Sequence, residues 1–167
     1  IRIAAEKGHL AVVKRLLQDK RVDPTDADNY AIWWASGNGH FAVVELLLQD
    51  KRVDPAAQSN RAIRWAAEEG HLAVVELLLQ DKRVNPADVD NDAIRIAAAS
   101  GYLAIVERLL RDDRVDPTAQ NNFAILRAAN NGHLEMVELL LQDDRVDPEV
   151  LARNIMPEIR ALYQKYR

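Results

Sequence analysis

The stretch GHLAVVKRLLQDKRVDP, beginning at Gly8, returns as GHFAVVELLLQDKRVDP at Gly39, GHLAVVELLLQDKRVNP at Gly70, GYLAIVERLLRDDRVDP at Gly101 and GHLEMVELLLQDDRVDP at Gly132. The step is 31 residues every time, with no insertion. Periodicity on this scale constrains the fold more than any single motif. Each unit must pack against near-copies of itself, so whatever buries one unit buries all of them.

One unit reads as two helices. Asn29, Asn60, Asn91 and Asn122 precede alanine-rich segments, and an Asx side chain there is expected to cap the free amides of a helix start. In the helix that follows, Ile32, Ala35 and Ser36 share one face, as do Ile63, Ala66 and Ala67; their small size lets neighbouring helices approach closely. Gly39 and its equivalents suit the left-handed residue that ends a helix. A second helix is expected next, with Phe41, Val44, Leu47 and Leu48 as its apolar stripe, and the proline of RVDP stops it.

A lone helix pair cannot bury both apolar faces, whereas stacked pairs share a continuous core. The fold expected is therefore all-α, an α-solenoid of stacked helix-turn-helix repeats forming a single domain over residues 1–167. A partial repeat occupies 1–28, full repeats span 29–59, 60–90, 91–121 and 122–152, and a capping helix is expected over 153–167, opening near Pro157.

The segment AIRWAAEEGHLAVVELLLQDKRV resembles the ankyrin repeat, with its paired alanines, Gly-His, Val-Val and Leu-Leu. The resemblance recurs five times and covers nearly the whole chain. Two departures stand out. The family's Thr-Pro-Leu-His is replaced by segments such as Tyr30-Ala31-Ile32-Trp33, and the unit is about two residues shorter than usual, so a short loop is expected in place of the family's projecting β-hairpin. The resemblance implies a non-catalytic protein-interaction module whose first helices and connectors line a concave groove.

The remaining chemistry is sparse. A net charge of −4 argues against a general nucleic-acid binder, and no apolar run is long enough for a membrane span. The chain lacks cysteine, which excludes disulfides and thiolate chemistry and fits an intracellular home, cytoplasmic or nuclear. The start, IRIAAEKGHL, has no initiator methionine and reads as a cut from something longer. Gly37-Asn38-Gly39-His40-Phe41-Ala42 matches a dinucleotide fingerprint only formally, because a helix rather than a strand precedes it. His9, His40, His71 and His133 occupy one repeat position; helices roughly 8–10 Å apart hold them too far apart to share a metal, so they are read as bonding to a neighbouring loop. Arg21, Arg52, Arg83, Arg114 and Arg145, flanked by aspartates, are read as loop-pairing residues. No cofactor, metal or catalytic set is expected, and the chain is expected to be a monomer.

Positions that vary between units are free of the demands of stacking. Counting back from the repeat glycine, nine before it come Tyr30, Arg61, Asp92 and Phe123; six before, Arg2, Trp33, Arg64, Arg95 and Leu126; five before, Ile3, Trp34, Trp65, Ile96 and Arg127. Helical spacing puts these opposite the invariant isoleucine and alanines. The residues expected to bind a partner are Tyr30, Trp33, Trp34, Arg61, Arg64, Trp65, Arg95, Phe123 and Arg127, since Trp, Tyr and Arg dominate binding hot spots. Trp33 shares its position with arginines and is therefore read as exposed and the first anchor, while Trp34 and Trp65 align with isoleucines and are read as half buried. The arginines farther along are expected to meet acidic groups. Two rivals remain open: a methyl-lysine reader, with Tyr30, Trp34 and Trp65 as an aromatic cage beside Glu68 and Glu69, and a structural or regulatory arm of a larger enzyme or an engineered scaffold.

Overall fold

The computed structural model describes residues 1–154. Its first helices are α1 (Arg2–Glu6), α3 (Asp26–Gly37), α5 (Ala57–Glu68), α7 (Asp88–Ser100) and α9 (Ala119–Asn130). They alternate with second helices α2 (Leu10–Leu17), α4 (Phe41–Leu48), α6 (Leu72–Leu78), α8 (Leu103–Leu110) and α10 (Leu134–Leu140), and α11 covers Glu149–Asn154. First helices pack on first helices and second on second, giving two layers with the core between them. Among the described residues there is no strand, so each connector is a loop rather than a hairpin. The capping helix expected near Pro157 lies outside the described residues.

The core repeats with the sequence. Ile32, Ile63, Ile94 and Ile125 are buried, as are Val44, Val75, Val106 and Val137 and Leu47, Leu78, Leu109 and Leu140; each such side chain contributes about 1.5–3 kcal/mol. Ser36 replaces the alanine found in the other units, and its buried hydroxyl donates to Ile32 O at 2.7 Å. The second-helix stripe is Val43, Val44 and Leu47 rather than the expected set. Phe41 is 41% exposed, because it opens α4 on the turn that faces outward, while Val43 turns into the core.

Each repeat glycine adopts a left-handed φ, between 71° and 82°. In the second unit Gly39 N–H donates to Ser36 O and His40 N–H to Ala35 O, the double bond pattern of a Schellman stop. The histidine then reaches back: Nε2 of His40 bonds to the backbone Glu6 O at 2.9 Å, His71 to Gly37 O and His133 to Ala99 O. A carbonyl only accepts, so Nε2 carries the hydrogen.

The asparagines do something other than cap helices. No helix here has a side-chain cap at this position; instead Asn29, Asn60, Asn91 and Asn122 each close a run of three left-handed residues, such as Gln58, Ser59 and Asn60 at φ 55°, 55° and 57°. Asn and Asp tolerate that region best among residues with a side chain. The turn aims the asparagine across the stack. Oδ1 of Asn29 accepts from Asp54 N–H, that of Asn60 from Asn85 N–H, and that of Asn91 from Asp116 N–H, at 2.7–2.8 Å.

The loop arginines form a second ladder. Arg83 bonds bidentately to Asp81, two residues earlier in the loop, and its Nη1 donates to Val53 O of the preceding repeat at 2.9 Å. Arg52, Arg114 and Arg145 repeat the arrangement. These hydrogen bonds hold Asp50, Asp81, Asp112 and Asp143 below the ordinary carboxylate value of 3.8. A depressed folded value means that the stabilisation is complete above the unfolded value and is lost as pH falls through the folded one. Carboxyl NMR titration of Asp81 is therefore expected to give a midpoint below the usual range that returns toward it in Arg83→Ala; a midpoint indifferent to that substitution would remove the arginine as cause.

Candidate functional site

The face opposite the alanines is built from side chains of α3, α5, α7 and α9, and neighbouring repeats interlock there. Tyr30, Trp33, Trp34 and Trp65 form one aromatic cluster. Tyr30 stacks on Trp34 at 5.4 Å between ring centroids, Trp33 lies 5.4 Å from both Trp34 and Trp65, and Trp34 meets Trp65 edge-on at 4.5 Å. Such pairs add about 0.5–1.5 kcal/mol each beyond their burial. The Tyr30 hydroxyl donates to Glu6 at 3.0 Å; partial desolvation, then the Glu6 carboxylate beside it, raises the phenol above its ordinary value.

Three sequence expectations change here. Trp33 is only 9% exposed, although arginines share its position. The guanidinium of Arg61, from the next repeat, lies 4.2 Å over its ring and 5.4 Å from that of Trp65, closing the surface above it. Trp34 and Trp65 are half buried, as their alignment with isoleucine implied. The second change concerns Gly37, which in the sequence stands out only through the formal dinucleotide match. A β-carbon there would stand 2.5 Å from Cδ2 of Trp65, so this glycine is the floor on which the Trp65 indole rests.

The third concerns the arginines. Nη1 of Arg64 and Nη2 of Arg95 both donate to the Asp92 carboxylate at 2.9 Å, with all three side chains less than a quarter exposed. Arg64 also donates to Ser59 O. Both cations assigned to a partner's acids are thus already neutralised in large part by Asp92. Arg61 and Arg127 differ: both are exposed and, among the described residues, neither has a carboxylate within ion-pair distance. Arg127 instead lies 4.9 Å over the Phe123 ring, which Arg95 covers at 5.1 Å.

Asp92 and Glu6 are the residues that sequence reasoning left out of the site. The signal was present for Asp92, since it occupies the position of Tyr30, Arg61 and Phe123. Arg95 stands three residues farther along the same helix, whereas the pairing with Arg64 depends on side-chain reach across repeats. An open recess of about 430 Å³ is lined by Arg61, Arg64, Trp65, Glu68 and Asp92. Within the cage expected from Tyr30, Trp34 and Trp65, the Trp34 ring lies against both others, at centroid distances of 5.4 Å to Tyr30 and 4.5 Å to Trp65.

Stacked helix pairs, joined through bonds that recur from repeat to repeat and varied on one face, define a helical-repeat scaffold. The family profile described as ankyrin repeats (3 copies) matches residues 1–90 and 84–154, and the chain belongs to the ankyrin-repeat family. Ankyrin repeats are generally protein–protein interaction modules and typically non-catalytic. No curated protein matches the chain. Among the described residues no helix is long and apolar enough to cross a membrane.

Proposed function

We propose that this chain is a non-catalytic module that holds a protein or peptide partner on the face lined by its first helices and connectors. The observation that carries this reading is a division of labour. Polar side chains that recur along the array are consumed by bonds between repeats: Asn29, Asn60 and Asn91, His40, His71 and His133, and the loop arginines Arg52, Arg83, Arg114 and Arg145. Those that vary collect on one surface rich in the residue types that anchor interfaces. The closer packing of first helices on one another than of second helices supports a stack curved toward that surface.

The binding unit comprises the repeats 29–59, 60–90, 91–121 and 122–152 with the partial repeat before them. Its anchors are Trp34 and Trp65, which expose part of their rings, with Tyr30 and Arg61 beside them and Phe123 and Arg127 farther along the face on α9. The test exploits the repeat itself, because isoleucine already fills the same position at Ile3 and Ile96. Trp34→Ile with Trp65→Ile is expected to leave folding intact and weaken binding to proteins captured from a cell extract by at least about tenfold, or ~1.4 kcal/mol. A charge reversal on the outer layer, Glu45→Lys, serves as control. Unchanged affinity in the tryptophan variant, with the fold retained, would sink the assignment.

A further inference from the structure

The partner chemistry rests on the reading just given and on two unclaimed cations. At the positions nine, six and five before the repeat glycines, Arg2, Arg61, Arg64, Arg95 and Arg127 face the single anion Asp92, although the chain as a whole carries −4. Arg64 and Arg95 share the single Asp92 carboxylate, so that cluster retains one positive charge. Arg61 and Arg127 stand on either side of it, exposed, each stacked on aromatic rings and without a carboxylate of its own among the described residues. A guanidinium held against a ring is restricted before a ligand arrives and still offers its edge donors to a carboxylate.

We infer that the face recognises an extended acidic segment whose two carboxylates, about six residues apart, engage Arg61 and Arg127. The spacing follows from the architecture. Arg61 is on α5 and Arg127 on α9, two helix steps away at roughly 8–10 Å each, which an extended chain spans in about six residues at ~3.3 Å per residue. The margins favour the same track. Asp88 and Asp90 lie along the connectors, bonded to Asn60 and Gln120, and Glu68 and Glu69 lie toward the glycine turns. Their charge steers a carboxylate to the middle of the face, over the Arg64–Asp92–Arg95 cluster.

The probe is a nine-residue peptide with glutamates at its second and eighth positions and small uncharged residues elsewhere. Its controls carry glutamines there, or glutamates at the fourth and seventh positions. Calorimetric titration is expected to show the widely spaced glutamate peptide binding at least about tenfold tighter than either control, with affinity falling as salt rises. Arg61→Gln and Arg127→Gln should each cost it about tenfold. Equal binding of the three peptides, no detectable binding, or indifference to both substitutions overturns the inference. The captured partners separate its failure from that of the broader reading. Partners lost on Trp34→Ile with Trp65→Ile but retained by Arg61→Gln with Arg127→Gln keep the face and remove the acidic segment; partners retained by both variants remove the face itself.

Discussion

Asn60→Ala is expected to destabilise the chain by about 2–4 kcal/mol, and Asn122→Ala by about 1 kcal/mol or less. Asn60 is buried, accepts from Asn85 N–H at 2.7 Å and donates to Asp88 at 2.9 Å. Its loss strands a partly buried amide at a cost of roughly 1–3 kcal/mol, and alanine at φ 57° adds about 1 kcal/mol of left-handed strain. Asn122 has the same backbone conformation, but its buried Oδ1 has no partner among the described residues. Only the strain is shared, and deleting an unsatisfied oxygen offsets part of it. Urea unfolding of the two variants checks the difference. Equal losses would mean that the asparagine acts through backbone conformation alone and that the bond across repeats contributes nothing.

A second pair of equivalent positions separates conformation from packing at the glycine turn. Gly39→Ala should cost about 2–4 kcal/mol and Gly132→Ala about 1–2 kcal/mol. Both glycines have φ above 70°, so both alanines incur left-handed strain of roughly 1–2 kcal/mol. At Gly39 the new β-carbon would also stand 2.6 Å from Nδ1 of His71, whereas at Gly132 none of the described residues comes within 4 Å. Displacing the imidazole forfeits its 3.1 Å bond to Gly37 O, worth about 1 kcal/mol. In the cycle with His71→Ala the two losses should be less than additive, because the shortened side chain removes the clash. Strict additivity would place the histidine outside the energetics of the turn.

Both comparisons work because an array carries its own controls, and the same property governed how much of the site could be read beforehand. Positions fixed by stacking were legible. The glycine φ, the loop arginines bonding to the preceding repeat and the bonds of His40, His71 and His133 to a neighbouring backbone all recur, so one interpretation serves several copies. The asparagine was misread as a cap because its residue type fits two geometries. A helix start and a left-handed turn both favour Asn, and only the backbone path distinguishes a bond within the unit from one across the stack.

The variable face resisted for a different reason. Aligning Trp33 with Arg2, Arg64 and Arg95 described its position correctly but not its surroundings, since what covers Trp33 is Arg61, 28 residues later in another column of the alignment. Arg64 meets Asp92 at the same offset. Gly37 beneath Trp65 is another pairing of unlike positions in adjacent units. The 28-residue offset itself recurs, joining Arg2 to Tyr30 and Arg95 to Phe123 as well, but the residue types differ at every copy, so no repeated pair announces the contact.

By itself, the sequence determined the 31-residue period, the helix pair, the buried isoleucine, valine and leucine rows and the family, because burial in a solenoid is solved once and copied. Tertiary structure alone decided which aromatic is buried, which arginines are already paired and which two remain available. Those outcomes depend on distances between side chains of different repeats, and on which neighbour reaches a charge or a ring first.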